Sequence, residues 1–225
     1  MNESFQNELK DYILSLGASD VGFFCREDDG ADEKLNYGIS VVVRLSEEII
    51  FEIDGEPTLT YFNHYRQINA FIDGILLRTG LFLQKSGYRY VTVAASQSMN
   101  NEGWNYRGRY SHKQGACLAG LGGIGKNSLF FHKDFGSLVR LGTVFTDCEL
   151  SAGDVLPHDP CGECVKCVEA CPAGAIKNKE FYPGIEREEI FDAQKCSDYM
   201  KKEFQKIGRG AVCGICMRVC PKNKL

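Results

Sequence analysis

The chain has 225 residues, 44% of them hydrophobic and 25% charged, with a formal net charge of −4. That composition is typical of a soluble globular protein, and no apolar run approaches the roughly 20 residues that cross a bilayer. Residues 161–225 carry 12 Lys/Arg against 9 Asp/Glu while the remainder carries 14 against 21, an excess too small and too scattered to mark a nucleic-acid surface. The opening stretch MNESFQNELKDY lacks the basic start and apolar core of a signal peptide, so the expected setting is cytoplasmic and reducing, which disfavours a disulfide framework.

In chain order, Phe5, Leu9, Tyr12, Ile13 and Leu16 recur at helical spacing, and Gly17 offers a stop. Asp20 to Cys25 and Ile39 to Leu45 read as strands. A long amphipathic helix is expected from about Leu59 to Ser86, gathering Phe62, Tyr65, Ile68, Phe71, Ile72, Ile75 and Phe82 into one stripe. Such aromatics are core before they are a cofactor box. Arg89 to Ala95 and Leu138 to Phe145 are further strand candidates, so helices and strands mix and the fold class is α+β. The turn-rich SAGDVLPHDP, Ser151 to Pro160, marks a border between a domain of residues 1–155 and a second of residues 156–225.

Ser111 to Phe131, SHKQGACLAGLGGIGKNSLFF, holds five glycines. Gly120, Gly122 and Gly125 satisfy GxGxxG in form, yet the residues before them look helical, and a dinucleotide fingerprint requires a strand there. A phosphate-binding P-loop fails too, because Asn127 stands where Ser or Thr would hold Mg²⁺ and Ser128 comes one place late. The bland reading is a glycine turn between a helix and a strand. The functional reading is a backbone cradle in which Gly122, Gly123, Ile124, Gly125, Lys126, Asn127 and Ser128 meet a bulky cofactor, with amides and Lys126 at its polar edge.

The strongest chemical signal is cysteine. Seven of the eleven fall into two runs, CGECVKCVEACP with Cys161, Cys164, Cys167 and Cys171, and CGICMRVCP with Cys213, Cys216 and Cys220. The first run matches the bacterial CxxCxxCxxxCP pattern, in which three close thiolates hold one [4Fe–4S] cube and the fourth ligates its neighbour. Two cubes need eight thiolates and the runs provide seven, so Cys196, lying between them, is the expected eighth. The resulting assignment is Cys161, Cys164, Cys167 and Cys220 for one cluster, and Cys171, Cys196, Cys213 and Cys216 for the other. Structural zinc is the competing reading, but zinc ribbons use four ligands in two separated pairs. Cys25, Cys117 and Cys148 are left over, and isolated cysteines usually behave as small buried hydrophobes.

The succession GLGGIGKN, FGSLVRLGTVFTDCEL, CGECVKCVEACP, KCSDYM and CGICMRVCP resembles the epoxyqueuosine reductases, cobalamin-dependent enzymes with two [4Fe–4S] clusters that are related to reductive dehalogenases. The resemblance implies a nitroreductase-like or reductive-dehalogenase-like α/β domain followed by a bacterial two-cluster ferredoxin-like domain. It also implies cobalamin against the glycine segment, one cluster near enough to reduce cobalt, and Cys196 as a ligand. Two departures matter. No sequence follows Pro221 that would make the family's helical tRNA platform, so tRNA is not an expected partner. The family's acidic proton donor has no match in VAASQSMNNEGWNYRGRYSHK, which leaves Tyr106, Tyr110 and His112 as substitutes, since general acids can be Tyr or His. The expectation is an iron–sulfur oxidoreductase acting on a small molecule or a corrinoid and fed by a small electron-donor protein of the ferredoxin or flavodoxin type, with no membrane partner. Alternatives are an electron-transfer or corrinoid-handling protein without its own substrate, and a variant holding FMN.

Overall fold

A computed structural model of the chain describes residues 3–26, 34–99, 106–156, 160–208 and 212–223. The first helix, α1, spans Glu3–Ser15 and buries Leu9 and Ile13. It feeds β1, Asp20–Cys25, and then β2, Tyr37–Arg44. A short α2, Glu47–Phe51, precedes α3, Leu59–Lys85. The Thr58 side chain caps α3 by accepting the Tyr61 amide at 3.0 Å, satisfying one of the donors that a helix start leaves without a partner. Next come β3, Tyr90–Val93, α4, His112–Leu118, a hairpin of β4, Gly122–Ile124, and β5, Phe130–His132, and then β6, Val139–Thr146. The expected elements are present, with ends moved by two residues or fewer. Part of the expected border, residues 157–159, lies outside the described residues, as does the span 100–105 ahead of Tyr106.

Four strands form one sheet in the order β1-β2-β6-β3, antiparallel throughout, which places the fold in the α+β class. Asp20 opposes Val42 and Arg44 opposes Val139, which fixes the register on both sides of β2. Side chains alternate across a strand, and both faces are covered. Val21, Phe23, Ile39, Val41, Val43 and Val144 meet α1 and α3 through Leu9, Ile13, Ile72, Ile75 and Leu76. The opposite face presents Phe24, Val42, Leu141 and Phe145 to Ala116 and Ala119 beside α4 and to Phe130 of the hairpin. One member of the expected α3 stripe sits elsewhere. Phe71 is 44% exposed, because one residue turns 100° and Ile72 takes the core-facing position.

The cysteine-rich half is built from short pieces: α5, Lys166–Glu169, α6, Arg187–Ile190, α7, Ala193–Phe204, and α8, Ile215–Arg218. Leu45, Ile50, Ile53, Tyr61, Phe62 and Leu138 pack with Phe204, Val212, Ile215 and Met217 in a shared apolar cluster. The two halves therefore meet through core-like packing. Buried Asn223 adds a polar tie, accepting the amide and hydroxyl of Ser137 at 2.8 and 3.0 Å and donating to the Met217 carbonyl at 2.7 Å. Among the described residues no helix is long and apolar enough to cross a membrane.

Ile75 is 2% exposed between the sheet and α3, so truncation leaves a cavity that the surroundings fill only in part. Ile75→Ala is expected to lower the unfolding free energy by about 2–5 kcal/mol, read as a lower urea midpoint at unchanged slope.

Candidate iron–sulfur site

Each cysteine run folds into the same small device. After Cys161 the chain turns, with the Cys164 amide donating to the Cys161 carbonyl at 3.1 Å, and α5 then carries Cys167 inward. In the second run Gly214 caps α8, which carries Cys216. The short helices α5 and α8 pack against each other, bringing the runs face to face. Cys196 arrives from α7, whose start is capped by Asp192 accepting the Lys195 amide at 2.9 Å.

The thiols sort into two groups. Cys167 is pushed up to about 11 by burial and by the charges of Cys161, Cys220 and Cys164, and Cys220 is raised by burial and by Cys161 and Cys164. Cys196 is pushed up to about 12 by burial, then by Cys213 and Cys171, while Cys213 is raised by burial and Cys171. Cys216 stands between the groups, raised by burial and by Cys213, Cys196, Cys167 and Cys171. Buried thiolates at such proximity repel one another and lack solvent, so the set holds charge only around a cation. All eleven cysteines are free thiols.

The spacing distinguishes between metals. No three of these sulfurs lie within 4.8 Å of one another among the described residues. A single zinc, with Zn–S near 2.3 Å, draws four thiolates to about 3.8 Å apart. A cube spreads its ligands over four irons, and the wider arrangement suits it. Backbone amides already point at two of the sulfurs, with Lys126 donating to Cys161 Sγ and Ala175 donating to Cys171 Sγ, both at 3.4 Å.

The glycine segment lies directly against the first group. Leu121 through Ser128 are all buried, and the β4–β5 loop is closed by the Ser128 amide on the Gly125 carbonyl at 2.8 Å and the Gly125 amide on the Leu129 carbonyl at 3.0 Å. A Cβ on Gly122, whose φ is +158°, would collide with the Phe131 carbonyl. A Cβ on Gly125 would strike the Phe131 ring and come within 3.1 Å of Cys161 Sγ. These glycines answer to the hairpin itself and to a cluster ligand. Lys126, Asn127 and Ser128 are 6%, 3% and 6% exposed. Gly122 and Gly125 are closed off by the hairpin and by Cys161, so what the segment would offer a corrinoid is the buried polar groups of Lys126, Asn127 and Ser128. One polar side-chain atom in it has no protein partner, Asn127 Nδ2, and an unsatisfied buried donor costs about 1–3 kcal/mol.

The three proton-donor candidates are engaged as follows. His112 has its Nδ1 2.7 Å from the Thr143 hydroxyl and its Nε2 2.9 Å from the Ala94 carbonyl, and burial holds it below the usual imidazole range. Tyr110 packs between Phe24, 6.1 Å away, and Phe145, 4.8 Å away. Tyr106 reaches across to α7, where hydrogen bonds from Ser197 and Lys201 hold its phenol below the usual range, while its carbonyl accepts from Arg187 at 2.8 Å. Composition and motif did not single out Lys113, which the fold brings to the segment. Its Nζ donates to the Ser128 carbonyl and hydroxyl at 2.6 and 2.9 Å, and burial, then Arg187, lowers it to about 8. Its i,i+4 relation to Cys117 on α4 was the available signal. Cys117 is half-buried and pushed up to about 11 by burial. Cys148 is buried, whereas Cys25 is exposed at the end of β1, against the expectation that each leftover thiol fills the core.

Asp20, His132 and Asp134 also bring three ligand atoms within 4.8 Å. His132 accepts the Asp134 amide at Nδ1 and so donates from Nε2 to Asp20, both at 3.1 Å. With both nitrogens engaged and Lys133 Nζ 3.9 Å from Asp20, the group is a brace between β1 and β5. Two surface hollows among the described residues, about 390 Å³ beside Phe5 and Tyr88 and about 500 Å³ beside Arg44 and His64, are lined by none of the eight candidate ligand cysteines and by no residue of the glycine segment.

The fold and the cysteine geometry together define an iron–sulfur protein, and residues 160–223 match the 4Fe-4S double cluster binding domain. In sequence the chain resembles the epoxyqueuosine reductases: it is 34% identical over 122 residues to that of Cyclobacterium marinum, an alignment covering 50% of this chain and 36% of the relative. In structure it is similar to a selenomethionine-labelled epoxyqueuosine reductase, with a TM-score of 0.68 at 21% identity over 98% of this chain and 66% of that one. It is similar as well to a reductive dehalogenase described in connection with B12-dependent dehalogenation, with a TM-score of 0.75 at 20% identity over 96% of this chain and 31% of that one. The architecture is thus the reductive-dehalogenase and epoxyqueuosine-reductase fold. The alignment to the curated relative spans about a third of that protein's length.

Lys113 gives a pH signature. A lysine lowered from 10.5 to about 8 in the fold releases its proton more readily folded than unfolded, so the unfolded chain binds more protons between those values and stability rises with pH there. Raised thiols such as Cys117 pull the other way at alkaline pH, so the Lys113 contribution is read as a difference: Lys113→Met is expected to gain stability over the wild type at pH 8, by at most about 3 kcal/mol, and to lose that gain as the urea midpoints are followed to pH 10.

Proposed function

We propose that this chain is an iron–sulfur oxidoreductase in which two [4Fe–4S] clusters pass single electrons to an acceptor in the N-terminal half. Cys161, Cys164, Cys167 and Cys220 hold the cluster beside the glycine segment, and Cys171, Cys196, Cys213 and Cys216 hold the other. The observation that supports this reading is the convergence of the two cysteine runs and Cys196 through α5, α8 and α7, with no three sulfurs close enough for one zinc among the described residues, inside a match to a double cluster domain. A cube takes up one electron at a time, and its potential follows from charge, hydrogen bonds to sulfur and burial.

The acceptor that the likeness favours is cobalamin, on the strength of the fold shared with a dehalogenase described as B12-dependent. A corrinoid bound in the N-terminal half would supply a metal centre able to attack or reduce a small-molecule substrate. The chain's own residues would set orientation and proton supply, and Lys113, held at about 8 between Ser128 and Arg187, has a proton affinity suited to donation near neutral pH. Electrons would come from a small ferredoxin- or flavodoxin-type donor in the cytoplasm.

Anaerobic purification with iron and sulfide counts, an absorption spectrum and mass spectrometry of released small molecules tests the reading. Eight irons per chain, four for each of two clusters, are expected with a corrinoid. Eight irons with flavin, or with no organic cofactor, would retain the relay and remove cobalamin from it. Cys196→Ser is expected to lower the iron count by about half, because one cube then keeps three thiolates; an unchanged count would exclude Cys196 as a ligand.

A further inference from the structure

We propose that the side-chain amide of Asn127 donates a hydrogen bond to the cluster held by Cys161, Cys164, Cys167 and Cys220 and raises that cluster's reduction potential. The inference rests on the reading of these cysteines as cluster ligands, and it gives Asn127 a role toward the cluster rather than toward a cofactor on the segment's other side.

The orientation of the amide is fixed by its partner. Asn127 Oδ1 lies 3.1 Å from the Leu129 amide, and only an oxygen can accept from an N–H, so the remaining atom is Nδ2 with its two hydrogens. That atom is buried in a residue 3% exposed and has no partner in the protein. Buried Asn223 shows the ordinary alternative, with both ends of its amide bonded.

Asn127 is bracketed by residues that face the cysteine half. Before it, a Cβ on Gly125 would fall 3.1 Å from Cys161 Sγ, and the Lys126 amide donates to the same sulfur at 3.4 Å. After it, Leu129 packs in the apolar cluster that includes Ile215 and Met217 and touches Ala170, Cys213 and Val219. Ser128 turns the opposite way, to Lys113. No cysteine sulfur hydrogen-bonds Nδ2, so the acceptor would be an inorganic sulfide of the cube that Cys161, Cys164, Cys167 and Cys220 would hold one residue away from the Lys126 amide.

Reduction adds one electron to the cube without making or breaking a bond, and the added charge spreads onto its sulfurs. A fixed N–H dipole aimed at them stabilises the reduced form more than the oxidised one, and hydrogen bonding to sulfur is one of the levers that set cluster potentials. The Lys126 amide and the Asn127 side chain would act together on one cluster and leave the other unaffected.

The test uses full-length protein purified anaerobically, with iron and sulfide counted and both clusters followed by electron paramagnetic resonance during a dithionite titration. Asn127→Leu removes the donor at similar volume, and Asn127→Asp keeps the shape while replacing the donor with a charge. Both are expected to retain eight irons and to lower one midpoint potential, by about 59 mV for a tenfold fall in the equilibrium constant of a one-electron couple, with the other potential unmoved. Retained iron with both potentials unchanged overturns the assignment, as does weaker corrinoid binding with unchanged potentials. Wild-type protein that holds no pair of clusters defeats the underlying cluster reading instead. If neither variant assembles, selective ¹⁵N labelling of asparagine side chains in the reduced wild type decides: a hyperfine coupling to the cluster supports the bond and its absence overturns it.

Discussion

The contact between the glycine hairpin and Cys161 governs how the rest of the chain is arranged. Gly125 has no side chain, and for that reason the Lys126 amide can stand 3.4 Å from a sulfur that belongs to the other half of the protein. Any larger residue at Gly125 would press on the Phe131 ring and on the thiolate together. The hairpin in turn covers one face of the sheet through Phe130, so strand packing and sulfur placement are mechanically linked.

That link is reinforced from two directions. The apolar cluster joining Tyr61 and Phe62 of α3 to Ile215 and Met217 of α8 gives the cysteine-rich half a core it is too small to build alone. Asn223, three residues after Cys220, ties the chain to Ser137 ahead of β6 with every amide atom bonded. Buried thiols that raise one another's proton affinity resist collapse into a single tight knot, and cluster binding would remove that conflict by supplying positive charge. On the proposed reading, metal uptake and folding of this half would be coupled for that reason.

The polar groups around the segment divide by direction. The Lys126 N–H belongs with the cysteine side, and the orphan Asn127 Nδ2 follows it in the chain. Ser128, in a left-handed conformation with φ of 58°, belongs with Lys113, Cys117 and Arg187 on the other. A single loop therefore carries an electron-side face and a proton-side face a residue apart. That arrangement suits a relay in which reducing equivalents and protons reach an acceptor from different quarters.

The sequence alone determined the local and covalent features. Short runs rich in β-branched and aromatic residues placed β1, β2 and β6, period-3.6 spacing placed α1 and α3, and the CxxCxxCxxxCP run announced cluster chemistry, because each of these signals lies within a few consecutive residues. Counting thiolates pointed to Cys196, and the fold brings it beside Cys213 and Cys171. The glycines were visible but their partner was not. Gly125 and Cys161 are 36 residues apart in the chain and meet only after the hairpin folds against the cysteine half, so the glycine density announced a close approach without naming the sulfur that makes it. Lys113 was hidden for the same reason, and Asn127, named with its segment, gave no sign of an unpartnered amide: a lysine and an asparagine acquire chemical character only when tertiary packing removes water from one and withholds a partner from the other.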